Sequence, residues 1–289
     1  MATRSRLLVF IPTYRRPEAL TRQLAALESL RKANPGVDID IQVSHNESAD
    51  ALTRATSEGP AHHRFNPINL GADINIALAF TACDGYDFLW ILSDDDFLSQ
   101  DDGLPPLPFE KEFDLLVFDD AKCGAVETRK ILASDLLNSR MGLISDVIYR
   151  VDSVRTSLQE SLNNVNSCFP HLSVIASAFA RQACCIRYLS RSPTFARNSK
   201  YDAECVTDYS AARTGVLMVG KYLPKKEQRH FAFFYVRHAD FSKLSLAGPK
   251  GSLIAVAREV STLHILTLPT LVFFYVLRKM QNYAHRTYK

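Results

Sequence analysis

No two cysteines of this chain are spaced as CxxC, and no histidine lies at zinc-finger distance from one, so a structural zinc module is excluded. The six thiols, Cys83, Cys123, Cys168, Cys184, Cys185 and Cys205, are expected to be reduced and mostly buried, in a cytoplasmic protein. No export signal is expected either. Behind Arg4 and Arg6 the apolar run Leu7–Ile11 is too short for a signal core and ends at Pro12. There is neither an internal repeat nor a low-complexity tract. No Gly-rich phosphate loop follows that first apolar run; Pro12, Thr13, Tyr14 and Arg15 stand there instead, which argues against a nucleotidyltransferase.

What is present is enough apolar material for a full core: 289 residues, 47% of them hydrophobic, make one large domain or two small ones. The net charge of +3 is unevenly spread. Residues 221–289 carry 12 Lys/Arg against 3 Asp/Glu, while residues 1–220 have a net charge of −6. An acidic body with a basic end suits a surface that meets anions, phospholipid or a phosphate-bearing acceptor, and a nucleic-acid partner is not expected.

The element pattern of the first 120 residues is strand, helix, strand, helix, strand, helix, strand. Leu7–Ile11 is a buried strand, Glu18–Lys32 a helix with Leu20, Leu24, Leu27 and Leu30 on one stripe, and Ile39–Ser44 a second strand. A polar turn, His45–Asp50, leads to a short helix; Phe65 marks a short third strand, and Ala72–Ala82 a helix. Phe88–Leu92 is a fourth strand, apolar throughout, as strands covered on both faces are. Such a chain builds a parallel, doubly wound α/β sheet whose ligand site lies beyond the carboxyl ends of the strands.

Asp94, Asp95 and Asp96 sit at that end of the fourth strand. Three adjacent carboxylates repel one another unless a cation or a ring of donors neutralises them. A hard divalent cation, Mg²⁺ or Mn²⁺, held by one or two carboxylates and completed by phosphate oxygens, is one answer; a solvated acidic turn is the other.

The segments Ile11–Leu20, Val43–Asp50, Asn69–Asn75 and Ser93–Asp96, in this order and spacing, resemble the family-2 glycosyltransferases of the GT-A fold over residues 6–120. The resemblance implies a Rossmann-like, mostly parallel sheet flanked by helices, a nucleotide-diphosphate sugar donor, a divalent metal and inversion at the anomeric carbon. It places Thr13, Tyr14 and Arg15, with Pro12, around the nucleoside, and has Asn69, Gly71 and Asn75 shape the loop beside it. Asp94 approaches the ribose with Asp95 next to it, and Asp96 ligates the metal, with Asp94 as the second carboxylate. Where the family commonly has an aspartate near the base, this chain has His45 followed by Asn46, which leaves the nucleobase open.

Beyond residue 120, strands are expected at Asp114–Asp119 and Gly142–Tyr149, and a helix or loop at Ile131–Leu137. A helix is expected at Val154–Leu162, a long apolar helix from Cys168 to about Leu189, and a loop at Tyr188–Thr207. Phe169–Leu172 resembles a segment of bacterial polysaccharide and O-antigen transferases, including those that move dideoxyhexoses such as abequose. By that resemblance Pro170 and His171 occupy the place of the family's acidic pair. His171 is then either the base that takes the acceptor proton or a residue that caps the helix start, with Asp146, Asp202, Glu204 and Asp208 as carboxylate alternatives.

Ala211–Leu223 forms a helix or helix-turn, ahead of the charged run Pro224–Phe231, in which Arg229 and His230 face either the diphosphate or lipid. Val260–Leu277 has no formal charge but is interrupted by Pro269; as a helix it would span about 27 Å. An interfacial, monotopic element is favoured over a core helix or a true span, with Arg278, Lys279, Arg286 and Lys289 at an anionic headgroup layer. The expected organisation is a nucleotide-sugar half (1–120), an acceptor half (121–220) and a membrane-associating end (221–289) at the cytoplasmic face of the plasma membrane. The expected acceptor is a polyprenyl-diphosphate-linked saccharide. A catalytically idle membrane-surface scaffold is the rival from another class.

Overall fold

A computed structural model of the chain describes residues 4–48, 61–96, 98, 106–109, 112–138, 140–191, 215–238 and 253–276. Eight strands form one sheet in the order β3-β2-β1-β4-β7-β5-β8-β6. They are β1 (Ser5–Thr13), β2 (Val37–His45), β3 (His62–Phe65), β4 (Phe88–Ile91), β5 (Leu115–Phe118), β6 (Val126–Arg129), β7 (Val147–Arg150) and β8 (Cys184–Leu189). The first four are mutually parallel, β1 and β2 in register from Ser5↔Val37 to Thr13↔His45. β7 then runs antiparallel between β4 and β5.

The apolar runs form central strands because both faces of the sheet are covered. Along β1, Leu8 and Phe10 enter one core, while Leu7, Val9 and Ile11 enter the other. Helix α1 (Pro17–Ala33) covers the second face with Leu20, Leu27 and Leu30. Its start is pre-set by Pro17 and its end is tied by Asn34, whose side-chain amide donates to the Leu30 carbonyl at 2.8 Å. Helices α2 (Ala72–Ala82) and α6 (Pro170–Phe179) cover the other face, with the short helices α3 (Ala133–Asn138), α4 (Val151–Val154) and α5 (Gln159–Asn163) around them.

Helix α7 (Lys225–His238) and helix α8 (Leu253–His264) add Phe231, Tyr235, Val236, Val256 and Val260 to that same core. The basic end of the chain is therefore built into the fold through its inner face.

Three expectations are corrected. The apolar run from Cys168 to Leu189 is not one helix: α6 ends at Phe179, and Cys184–Leu189 is a strand whose burial alternates residue by residue. A continuous apolar run does not distinguish helix from buried strand, and Arg181 and Gln182 supply the polar break between them. Val260–Leu277 is not one helix either. The backbone leaves helical geometry at His264 (φ −163°), makes a 3₁₀ turn at Ile265–Thr267 and resumes as a helix at residues 268–276. Among the described residues, no helix is long and apolar enough to cross a membrane. Strand β6 lies where no element was expected, and Val154–Leu162 forms short helical pieces rather than one helix. The short helix after Asp50 and most of the expected loop at Tyr188–Thr207, with Asp202, Glu204 and Asp208, lie outside the described residues.

Candidate functional site

The carboxyl ends of β1, β2 and β4 open onto a cavity of about 310 Å³. Pro12, Thr13, Tyr14 and Arg16 line it from β1 and the loop after it, Asn46 from the end of β2, and Ser93 and Asp94 from the end of β4. Asn69, Gly71, Ala72, Asn75 and Ile76 come from the start of α2, and Ile144 from the turn before β7. Eight of the residues singled out in the sequence thus meet around one space: Pro12, Thr13, Tyr14, Asn46, Asn69, Gly71, Asn75 and Asp94.

The asparagines build the wall before they offer anything to a ligand. Asn46 donates to the Asn69 side chain at 2.8 Å and accepts the Leu70 amide at 2.8 Å. Asn69 in turn accepts the Gly71 amide at 2.9 Å. Gly71 has φ 82° and ψ 161°, a backbone region open in practice to glycine alone. That conformation turns the chain into α2 and presents the helix's first residues to the cavity. Asn75 accepts from Ser44 Oγ at 2.6 Å and donates to the Ser44 carbonyl at 3.0 Å, locking α2 to β2. The positive end of a helix dipole with unpaired amides suits a phosphate or other anion.

Asp94 is nearly buried; it accepts from Thr13 Oγ1 at 2.7 Å and from Arg16 Nη1 at 2.8 Å. Burial pushes its carboxyl above the ordinary range, although Thr13 and Arg16 pull the other way. The same Arg16 nitrogen reaches Asp95 at 2.8 Å. Burial alone would lower the Arg16 guanidinium, but Asp94 and Asp95 hold it above its ordinary value. Asp95 also accepts from the Ser93 hydroxyl. Asp96 pairs with Arg191 at 3.3 Å, and its backbone carbonyl accepts from Gln23 at 3.1 Å. The repulsion of the triplet is thus relieved by two arginines, neither of which the sequence marked out for that task.

Five expected site residues fall elsewhere. Arg15, with φ 55°, turns out toward Glu47, and it is Arg16 that faces the cavity. His45 lies on β2 with its ring stacked on Phe65 (centroids 4.4 Å apart) and Nε2 2.9 Å from His63 Nδ1, so it packs β2 to β3 and does not line the space. Burial first, and then His63, lowers its pKa to about 4.

His171 is 1% exposed and its Nε2 lies 3.1 Å from the Gly142 carbonyl. Burial lowers its pKa to about 4, so the ring is neutral, and it is enclosed in the core outside the cavity's lining. Asp95 and Asp96 stand beside the cavity rather than in its wall.

The chemistry of the donor set fits a divalent ion held largely by its ligand and weakly by the protein. Oxygen donors are what Mg²⁺ and Mn²⁺ take, and one or two carboxylates plus phosphate oxygens suffice. Asp96, whose side chain is 30% exposed, is the most open carboxylate of the triplet. Among the described residues, no three His, Cys, Asp or Glu side chains converge to form a closed metal cage.

No protein-family model matches the chain, and no curated protein does. Solved structures do. The chain is similar to S. aureus TarS 1–349 in complex with UDP-GlcNAc, at 14% identity and a TM-score of 0.62, over 97% of this chain and 92% of that one. TarS 1–349 in complex with UDP gives 15% identity and a TM-score of 0.60 over 98% and 92%. A longer TarS structure gives 17% and 0.57 over 96% of this chain and 54% of that one. The likeness establishes the fold: a mixed α/β sheet flanked by helices, of the GT-A type.

Proposed function

We propose that this protein is a metal-dependent, inverting glycosyltransferase that moves a sugar from a nucleotide-diphosphate donor to a lipid-linked saccharide in the synthesis of a cell-surface polysaccharide of the O-antigen kind. The observation that carries the donor side is the convergence of Thr13, Asn46, Asn69, Gly71, Asn75 and Asp94 on one cavity at the carboxyl ends of three parallel strands. TarS, whose fold the chain shares, has been solved with UDP and with UDP-GlcNAc bound.

In this reading Thr13, Tyr14 and Asn46 hold the nucleoside, Asp94 accepts from the ribose, and the start of α2 faces the diphosphate. Asp96, with Asp94, would hold Mg²⁺ or Mn²⁺, which would supply positive charge to offset that developing on the diphosphate leaving group. Arg16 keeps Asp94 and Asp95 side by side, so the wall is organised before a donor arrives.

The acceptor side rests on the outer faces of the C-terminal helices. On residues 268–276, Leu271 points into the core while Pro269, Val272, Phe273 and Val276, spaced i, i+3, i+4 and i+7, are exposed. That exposed apolar face, together with the +9 charge of residues 221–289, supports an anionic bilayer as its cover. Lys226, Arg229 and Arg237 are exposed on α7. The protein then sits on the cytoplasmic leaflet as a peripheral or monotopic enzyme, where a polyprenyl-linked acceptor is presented.

A thermal-shift screen of UDP-, GDP-, CDP- and dTDP-sugars with and without Mn²⁺ tests the donor side. One nucleotide sugar is expected to raise Tm in a Mn²⁺-dependent way. No shift with any of them would contradict the proposal.

A further inference from the structure

Arg191 is a cation paired with the most open carboxylate of the triplet, and it is held from three directions. Its backbone amide donates to Asp120 Oδ1 at 2.8 Å, beside the Ser190 hydroxyl on the same oxygen at 2.6 Å, which fixes the chain just past β8. Its guanidinium donates through Nε to Asp146 at 2.9 Å and through Nη2 to Asp96 at 3.3 Å. Asp146 is fully buried in the turn before β7. Its second oxygen takes no hydrogen bond and has Arg140 at 3.8 Å as its ion-pair partner among the described residues. One guanidinium is therefore shared between a carboxylate that cannot leave the interior and one that can turn to solvent. The contact to Asp146 is the shorter, so Asp96 is the partner more easily given up.

We propose that Arg191 is the counter-ion a divalent cation must displace from Asp96, and that Asp146, by sharing the guanidinium, sets how firmly Asp96 is held. The inference rests on the reading of Asp96 as a metal carboxylate. Without metal, Arg191 neutralises Asp96 and keeps the tip of β4 folded. When a cation takes Asp96, Arg191 retains Asp146 as an anchor and is not expelled into solvent. A bare cation then competes against a fixed positive charge a few ångströms away, whereas a cation arriving with a diphosphate does not carry that net penalty. The device favours loading of metal and nucleotide together over metal alone.

The test is a titration of the full chain with Mn²⁺ in the absence of nucleotide, following the free ion by electron paramagnetic resonance. Arg191→Gln is expected to lower the apparent Kd by about tenfold, the order of one screened charge at contact range. Asp146→Asn is expected to raise it severalfold, because Arg191 then loses the shorter of these two carboxylate contacts and bears more fully on Asp96. Opposite shifts from two neighbouring residues are not produced by general damage to the site. Since Arg191→Gln leaves Asp146 without its nearest cation, the double variant Arg191→Gln/Asp146→Asn serves where the single one folds poorly, and it too should bind Mn²⁺ more tightly than wild type. Mn²⁺ binding that is lost in Asp96→Asn yet indifferent to both other substitutions would overturn the counter-ion role and leave the metal reading standing. Absence of Mn²⁺ binding in every variant, with and without a nucleotide sugar, would overturn both.

Discussion

Asp94 holds the donor wall together, and its replacement has a calculable direction. Asp94→Asn keeps the size of the side chain but removes the charge that Thr13 and Arg16 address. Hydrogen bonds to a charged group contribute about 1.5–3 kcal/mol each, so binding of the nucleotide sugar should weaken by roughly ten- to a hundredfold in isothermal titration calorimetry. His171 predicts the opposite pattern, stability without chemistry. Its ring is neutral and buried with a folded pKa near 4, as is that of His45. Between pH 6.5 and 4 the unfolded chain takes up protons that the folded chain refuses. The contribution is therefore complete above the unfolded pKa and is lost as pH falls through this window. For His171 alone the loss at pH 5 is about 2 kcal/mol. His171→Gln should flatten this acid limb in urea unfolding at pH 7.5 and pH 5 while turnover persists. A variant that folds normally but has lost turnover would restore His171 as the base.

Among the elements, the turn into α2 depends on a backbone conformation that glycine alone adopts readily. A Cβ on Gly71 would meet nothing within 4 Å, so Gly71→Ala is not a clash. Its cost is the backbone conformation, about 1–3 kcal/mol, readable as a lower Tm together with weaker donor binding, because the same turn positions Ala72 and Asn75 at the cavity. The helix at residues 268–276 gives a second prediction. Val272→Ser together with Phe273→Ser changes only exposed side chains, so Tm should move little, whereas flotation with anionic liposomes should fall severalfold. Flotation equal to wild type would remove the membrane assignment.

The strands were legible where burial is two-sided: β1, β4 and β5 are runs of apolar residues, while β2 was legible from the alternation of Ile39, Ile41 and Val43 with polar residues. Cys184–Leu189 was not, because its apolar character continues from α6 and only the packing of alternate residues on β5 makes it a strand. The helix expected at Val260–Leu277 broke at His264 for a related reason. Its core-facing residues, Val260, Leu263 and Leu271, join the same core as α7 on either side of the turn.

In the molecule as a whole, the cavity-lining set was read from local motifs, since each of Thr13, Asn46, Gly71 and Asp94 sits at the end of its own element and parallel pairing gathers those ends. Long-range charge pairing was invisible. Arg16 to Asp94 and Arg191 to Asp96 join positions 78 and 95 residues apart, and nothing local to either arginine announces its partner. Arg15, left-handed at φ 55°, pairs with Glu47, and its neighbour Arg16 lines the cavity, a distinction no local pattern carries.

The most direct measurement is the structure of a crystal soaked with Mn²⁺ and the nucleotide sugar selected by thermal shift, with anomalous scattering used to place the metal. The account predicts the nucleoside between Thr13 and Asn46, the diphosphate at the start of α2, and a manganese peak between that diphosphate and Asp96. A nucleotide bound elsewhere, or a cavity empty at saturating concentration with Asp96 still on Arg191, would contradict it.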